Sequence, residues 1–333
     1  MGDSSCLNRM KIGIVTQPLS ENYGGVLQNF ALQEFLRKKG FDPITIDFIP
    51  PRITLLRCLC YWVKTLVLLF LGKRRRFLLN REPVKRRMPF SAFINRDINK
   101  TRIVHAYSEL NSICAFDCLI VGSDQVWRPK YNRRIEDMYL KFAENFSIKR
   151  VAYAASFGVD SWEYTPKQTR ECCRLAKKFD AISVREVSGI KLCKDYLDVN
   201  AVWVLDPTLL LTKEDYLPIC EKVPVCNEKY LAVYVLDENE DVVAAYENEA
   251  KARGLVVKKF HADSESTLTV PEWLTMFRDA SYVVTDSFHG TVFSIIFGKE
   301  FKCVYNKGRG AARFESLMNL YNSGKIEEMR EFS

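Results

Sequence analysis

Ser281-Tyr-Val-Val-Thr-Asp-Ser-Phe-His-Gly-Thr-Val-Phe-Ser-Ile-Ile-Phe-Gly298 is the stretch that decides the fold. Ser281 to Thr285 reads as a buried strand and Thr291 to Phe297 as an apolar helix. Asp286, Ser287, Phe288, His289 and Gly290 stand between them. This layout aims a histidine, one of only three in the chain, and free backbone N–H groups at one point. A helix start carries about half a positive charge and unpaired donors, so it attracts anions. Gly290 lets a ligand approach the backbone closely. A plain capped turn explains the same residues without a ligand, because Ser or Asp often caps a helix here. The surrounding chain has to choose between the two readings.

The same strand-to-helix unit recurs on both sides. Toward the N-terminus, Lys11 to Thr16 is an Ile- and Val-rich strand. A helix follows Gly24 and Gly25, with Val26, Leu27, Phe30, Ala31, Leu32, Phe35 and Leu36 largely on one face. Gly40 stops it, and Pro43 to Phe48 is the next strand. Further strands are Phe116 to Val121, Arg150 to Ala155, Ala181 to Val184 and Ala201 to Leu205. Thr208 to Asn227 reads as a crossover, with Pro218 and Pro224 breaking regular structure. A second series has strands Tyr230 to Leu236, Val256 to His261, Ser281 to Thr285 and Phe301 to Tyr305. Its helices are expected at about 240–253, 271–279, 290–297 and 312–320. Short apolar strands alternating with helices predict parallel sheets covered on both faces. The expected organisation is therefore an α/β domain over 11–212, with a basic apolar insertion at about 51–100, and a second over 213–333. Two doubly wound domains in series place a cleft between the carboxyl ends of their sheets.

A chain of 333 residues is long enough for two such domains. With 47% hydrophobic and 27% charged residues it is far too apolar to be disordered. Eleven cysteines, with no CxxC pair, read as reduced thiols of a cytoplasmic protein. No secretory leader is visible at the N-terminus. The three histidines lack metal spacing and no metal site is expected, nor is a Gly-x-Ser-x-Gly elbow present. The net charge of +8 is local. Residues 52–87 hold eleven Lys and Arg against Glu82, an excess of ten that leaves the remainder at −2. The run from Ile53 to Gly72 nearly reaches the length of a membrane span, but Arg57 and Lys64 interrupt it. An apolar helix followed by a basic cluster suits docking of segment 53–87 on an anionic membrane surface, peripherally on the inner leaflet. A solvated basic helix covering the core is the plainer reading. Nucleic acid is not expected, because no nucleic-acid motif accompanies the patch.

Polar clusters fall at five strand ends: Gln17 to Gly25, Gly122 to Trp127, Ser156 to Gly158, Arg185-Glu186 and Asp286 to Gly290. Open α/β sheets bind ligands at such ends. Asn22-Tyr23-Gly24-Gly25 is a tight turn or an anion or sugar site; it fits neither a dinucleotide fingerprint nor a P-loop. Arg185 could grip a carboxylate or phosphate with two parallel hydrogen bonds, or simply pair with Glu186.

Six segments, in this order and spacing, resemble the polysaccharide pyruvyl transferase family over nearly the whole chain. They are Lys11-Ile-Gly-Ile-Val-Thr with Asn22-Tyr-Gly-Gly-Val-Leu-Gln28; Val121-Gly-Ser-Asp-Gln-Val-Trp127; Ala152-Tyr-Ala-Ala-Ser-Phe-Gly158; Ser183-Val-Arg-Glu186; Leu205-Asp-Pro-Thr208; and Thr285-Asp-Ser-Phe-His-Gly290. Arg128 departs from the pattern, standing where the family commonly has Asn. The chain also ends soon after Arg313-Phe314-Glu315, where relatives run on through a closing helix, which reads as a shortened C-terminus. The resemblance implies two Rossmann-like domains in a glycosyltransferase-B-like arrangement. It implies transfer of pyruvyl from phosphoenolpyruvate, as donor substrate and without a separate cofactor, to a sugar of a glycan acceptor, often lipid-linked, to give a ketal. On that basis His289 is the leading acid or phosphate ligand, helped by Ser287 and the N–H groups of Gly290 and Thr291. Arg185 would grip the donor, with Arg309 and Arg313 as further cations. Asn22, Tyr23 and Asp124 would contact the acceptor, with Asp124 a candidate base, and Gly24, Gly25, Ser123 and Ser156 would help to bind substrate. A nucleotide-sugar glycosyltransferase on the same architecture and a catalytically silent membrane adaptor are the rival readings.

Overall fold

A computed structural model describes residues 9–19, 22–49, 63, 88–112, 116–132, 134–261, 268–304 and 311–333. Almost all of the basic segment 53–87, and Arg309, lie outside these residues. Among the described residues, ten strands form two sheets in which every pairing is parallel. The first sheet has the order β2-β1-β3-β4-β5-β6. Its strands are β1 Lys11–Val15, β2 Asp42–Thr45, β3 Cys118–Val121, β4 Lys149–Ala155, β5 Ala181–Val184 and β6 Val202–Trp203. The second has the order β10-β9-β7-β8, with β7 Tyr230–Tyr234, β8 Val256–Phe260, β9 Tyr282–Thr285 and β10 Phe301–Cys303. The central strands β3, β7 and β9 are buried along their whole length, as parallel strands covered on both faces must be. Several strands are shorter than the apolar runs that announce them, because residues such as Val204 and Leu205 continue as buried loop rather than ladder.

In each sheet the chain order reverses once. Strands leave β1 toward β2 on one side and β3 on the other, and they leave β7 toward β8 and β9. Ligand crevices form outside the carboxyl ends of strands at such switch points. The two units together have the Rossmann-like, glycosyltransferase-B-like architecture.

Helix α1, Tyr23–Lys38, joins the two units. Leu32 and Leu36 pack with Ile12 and Ile14 of the first sheet. Tyr23, Val26, Leu27, Phe30 and Ala31 enter a second core with α2 (Met88–Asp97), α5 (Lys213–Cys220), α7 (Val270–Arg278) and β7. A helix with apolar contacts on both sides has no polar stripe, and α1 is accordingly buried nearly all round. Tyr23 stacks on Trp273 at 5.1 Å between ring centroids, and Trp273 meets Phe293 edge-on at 5.3 Å. Such aromatic pairs add about 0.5–1.5 kcal/mol each beyond burial.

Between these lie α3 (Pro166–Ala176), α4 (Val187–Leu192), α6 (Glu240–Arg253) and α8 (Phe288–Ile296). After β10, α9 (Ala311–Asn322) and α10 (Ile326–Phe332) return to the first unit. Phe314, Leu317 and Leu320 pack there with Leu205, Leu209, Leu210 and Phe288. Ser316 Oγ accepts from Val187 N–H at 3.2 Å, and Arg330 Nε donates to the Leu209 carbonyl at 2.7 Å. No helix among the described residues is long and apolar enough to cross a membrane.

Candidate active site

Helix α8 begins at Phe288, three residues earlier than its apolar run suggests. Ser287 sits at the N-cap and its Oγ accepts from Gly290 N–H at 3.4 Å. His289 therefore lies inside the first helical turn, not in a loop before it. Asp286 fastens the turn to the neighbouring strand end: its carboxylate accepts from Leu236 N–H at 2.7 Å and Asp237 N–H at 2.9 Å. Gly290 allows the helix to press on β9, where an added Cβ would stand 2.3 Å from Thr285 Oγ1.

The start of α1 meets this turn from the other unit. A Cβ on Gly24 would lie 1.9 Å from His289 Nδ1, so the imidazole occupies the space a side chain would fill. Beyond the ring lies a buried polar cluster drawn from the ends of β3, β5 and β6. Arg185 Nη1 donates to Asp206 Oδ2 at 2.8 Å and Arg185 Nη2 to Asp124 Oδ1 at 3.0 Å. Ser123 Oγ donates to Asp206 Oδ2 at 3.0 Å, and Asn22 Nδ2 to Asp124 Oδ2 at 3.4 Å. Asp206 Oδ1 accepts from Thr208 N–H at 3.1 Å and from its hydroxyl at 2.6 Å. The guanidinium groups of Arg185 and Arg313 lie 4.9 Å and 5.5 Å from the centre of the Phe288 ring.

Burial raises the Asp206 carboxyl, but Arg185, His289 and Thr208 overcome it and hold it at about 2. Burial likewise opposes ionisation of Asp124, and Arg185, His289 and Arg313 pull it below the ordinary range. His289 is pushed down from 6.5 by burial, with Asp206 and Asp124 opposing and Arg185 and Arg313 adding to the fall. The ring is thus neutral near pH 7. Its Nε2, 3.9 Å from Asp206 Oδ2, makes a contact rather than an ion pair and has no hydrogen-bond partner among the described residues. Burial beside Arg185 lowers Arg313 to about 10, still charged at neutral pH. The arrangement sets Arg185 and Arg313 against two ionised carboxylates beside a helix start, and it presents one bare imidazole nitrogen able to accept or, once charged, to donate a proton.

The family model of polysaccharide pyruvyl transferases matches residues 22–308. The chain belongs to the polysaccharide pyruvyl transferase family. It is a transferase that the family associates with polysaccharide. No curated protein matches the chain at a significant level. Among solved structures, UDP-N-acetylglucosamine 2-epimerase from Neisseria meningitidis is similar with a TM-score of 0.48 and 10% identity, covering 96% of this chain and 94% of that one. The corresponding epimerase of Methanocaldococcus jannaschii gives 0.46 and 10%, covering 88% and 83%. A glycosyltransferase from Rickettsia africae gives 0.43 and 12%, covering 97% and 92%.

In this pyruvyl transferase family member, Asn22, Gly24, Ser123, Asp124, Arg185 and His289 lie together, and Ser287 caps the helix that carries His289. Other expected residues take different places. Tyr23 is buried, and its hydroxyl donates to the Leu268 carbonyl at 2.6 Å, so it anchors α1 to the second unit instead of facing acceptor. Gly290 and Thr291 N–H groups are engaged inside the helix turn, the latter with the Ser287 carbonyl at 3.0 Å. The first-turn donors that a helix leaves over are those of Phe288 and His289. Ser156 Oγ accepts from Gly158 N–H at 3.0 Å and shapes its own turn. Gly25 packs on Asn22. Arg185 does not reach freely across the cleft: its side chain is fully buried between two carboxylates. Arg128 is held by Glu163 through two hydrogen bonds, at 3.0 and 3.1 Å. Asp206 is the site residue that sequence reasoning passed over. Its signal is its place three residues past β6, ahead of Pro207 and inside the segment Leu205–Thr208 that carries the family resemblance.

Proposed function

We propose that the transferase moves the pyruvyl group of phosphoenolpyruvate onto two hydroxyls of a sugar in a surface or capsular polysaccharide precursor, forming a ketal. The observation that supports this reading most is the family match over 22–308, which spans every strand end contributing to the cluster. The donor carries a carboxylate, a phosphate and an enol carbon pair. One proton goes to its methylene carbon, and the first sugar oxygen adds to the central carbon as its own proton leaves. The second hydroxyl then displaces phosphate, which departs with the remaining proton. Net, the two hydroxyl protons end on the new methyl group and on phosphate.

His289 is the group assigned to proton delivery. Neutral in the free protein, it gains a proton as the anionic donor enters, since a nearby anion favours the charged ring. Arg313 is assigned to the donor's negative charge together with Arg185, whose guanidinium already pairs with Asp124 and Asp206, and Arg309 is a further candidate cation. Asp124, kept ionised, is the candidate base for the acceptor hydroxyl. General acid–base catalysis of this kind contributes about 10²–10⁴-fold.

Thermal shift tests the donor directly, because a ligand that binds only the folded state raises its stability. Phosphoenolpyruvate is expected to raise the melting temperature where a panel of nucleotide sugars does not. The reverse result favours a glycosyltransferase. The lipid-linked acceptor and the docking of segment 53–87 on an anionic leaflet are part of the same proposal. In liposome flotation the protein is expected to float with anionic vesicles and not with neutral ones, and equal flotation in both removes the electrostatic element.

A further inference from the structure

We propose that Glu186 is a positioning residue for the transfer reaction, one that fixes the Asp124 carboxylate through the turn after β4. The proposal rests on the reading of function above for its activity arm only. Glu186 is fully buried. Its Oε1 accepts from Phe157 N–H at 2.8 Å and Gly158 N–H at 3.3 Å. Ser183, three residues earlier, holds the same strand end at a second point: its Oγ accepts from Ala154 N–H at 3.0 Å and donates to the Ala152 carbonyl at 3.1 Å.

The strand end so held is irregular. Pairing of β4 with β5 shifts register between Ala152 and Ala155, and Ala154 has φ +49°. Ala155 bridges Asp124, which itself has φ +73°. A non-glycine residue in the left-handed region persists only where its surroundings over-determine it. For Asp124 those surroundings are the turn: Ser156 N–H donates to the Asp124 carbonyl at 3.1 Å, and Trp127 N–H to the Ser156 carbonyl at 3.1 Å. From this backbone the Asp124 carboxylate reaches Arg185 and Asn22. Glu186 does not touch Asp124 by any of these bonds; it acts through the turn.

The other carboxyl oxygen, Oε2, has no hydrogen-bond partner among the described residues. Burial raises the carboxyl group's pKa against the pull of Arg185, Arg313 and Ser156, which brings its neutral form closer. Both turn N–H groups fall on one acceptor oxygen, and glutamine keeps an acceptor there. Two variants test this, with amide hydrogen exchange read by mass spectrometry in the free protein and phosphate release from phosphoenolpyruvate read with acceptor present. Glu186→Ala is expected to lose protection in both 152–158 and 122–128 and to lower kcat at least tenfold. Glu186→Gln is expected to restore protection and to hold kcat within about threefold with an unshifted pH profile. Glu186→Gln as impaired as Glu186→Ala, or a displaced pH profile, overturns the proposal, because charge or proton supply would then matter. Unchanged exchange at 122–128 in Glu186→Ala overturns it as well. If Glu186→Ala does not fold, Glu186→Gln alone decides by the same exchange and profile. A wild-type protein that releases no phosphate contradicts the proposed function, while the exchange arm still decides on Glu186.

Discussion

At Gly24 the imidazole of His289 lies where any Cβ would be. Alanine suits a helix better than glycine by about 1 kcal/mol. Here it collides, and overpacking costs about 1–3 kcal/mol. Gly24→Ala is therefore expected to displace the ring and cut turnover at least tenfold while melting within a few degrees of the parent. Full turnover in that variant detaches the ring's placement from catalysis. His289→Ala is expected to lose 10²–10⁴-fold in kcat with a cooperative melt retained, the scale of a missing acid–base group. His289 itself was legible in the sequence because a rare residue stood in a strand-to-helix turn. Asp206 stood in the segment Leu205–Thr208 without an assigned role, because an Asp before Pro gives no local sign of a buried partner. Its pairing with Arg185 comes from β6 lying beside β5, a neighbour relation only the sheet order reveals.

At the scale of elements, α1 shows where local pattern misleads. A tyrosine in a Gly-rich turn looks available to ligand, yet the helix is covered by both units and Tyr23 becomes core. Tyr23→Phe is expected to cost about 1 kcal/mol, the value of one hydrogen bond, and to leave KM for acceptor unchanged. A severalfold rise in that KM returns the hydroxyl to the acceptor site. The strands themselves were readable, since runs such as Tyr230 to Val235 are too apolar to sit anywhere but between two layers. Their ends were not, because burial continues past the ladder. The cluster between α1 and α8 also fixes how stability varies with acidity. His289 is lowered from 6.5, so the unfolded chain takes up its proton first and stability declines as pH falls below 6.5. Asp206, at about 2 against 3.8, contributes stability that is complete above pH 3.8 and lost as pH falls toward 2. Denaturant titrations across pH should show both steps, and His289→Gln should lack the upper one. An upper step that persists in that variant assigns it to another group.

For the molecule as a whole, the two sheets turn their switch points toward each other, and the cluster of Asp124, Arg185, Asp206 and His289 is the product of that pairing. No single unit contains it: three members stand on the first sheet's strand ends and the fourth on the second's. The sequence conveyed the two units and the order of their motifs, while the contacts between units depend on α1 and α9 crossing over. We propose that this joint site transfers pyruvyl from phosphoenolpyruvate to a glycan. Phosphate release, measured with phosphoenolpyruvate and a pool of glycan precursors and followed by mass analysis of the glycan, tests it most directly. Release is expected to require the acceptor, with the glycan gaining one pyruvyl ketal, and neither is expected in His289→Ala. Consumption of a nucleotide sugar by the same protein with phosphoenolpyruvate left intact would contradict it.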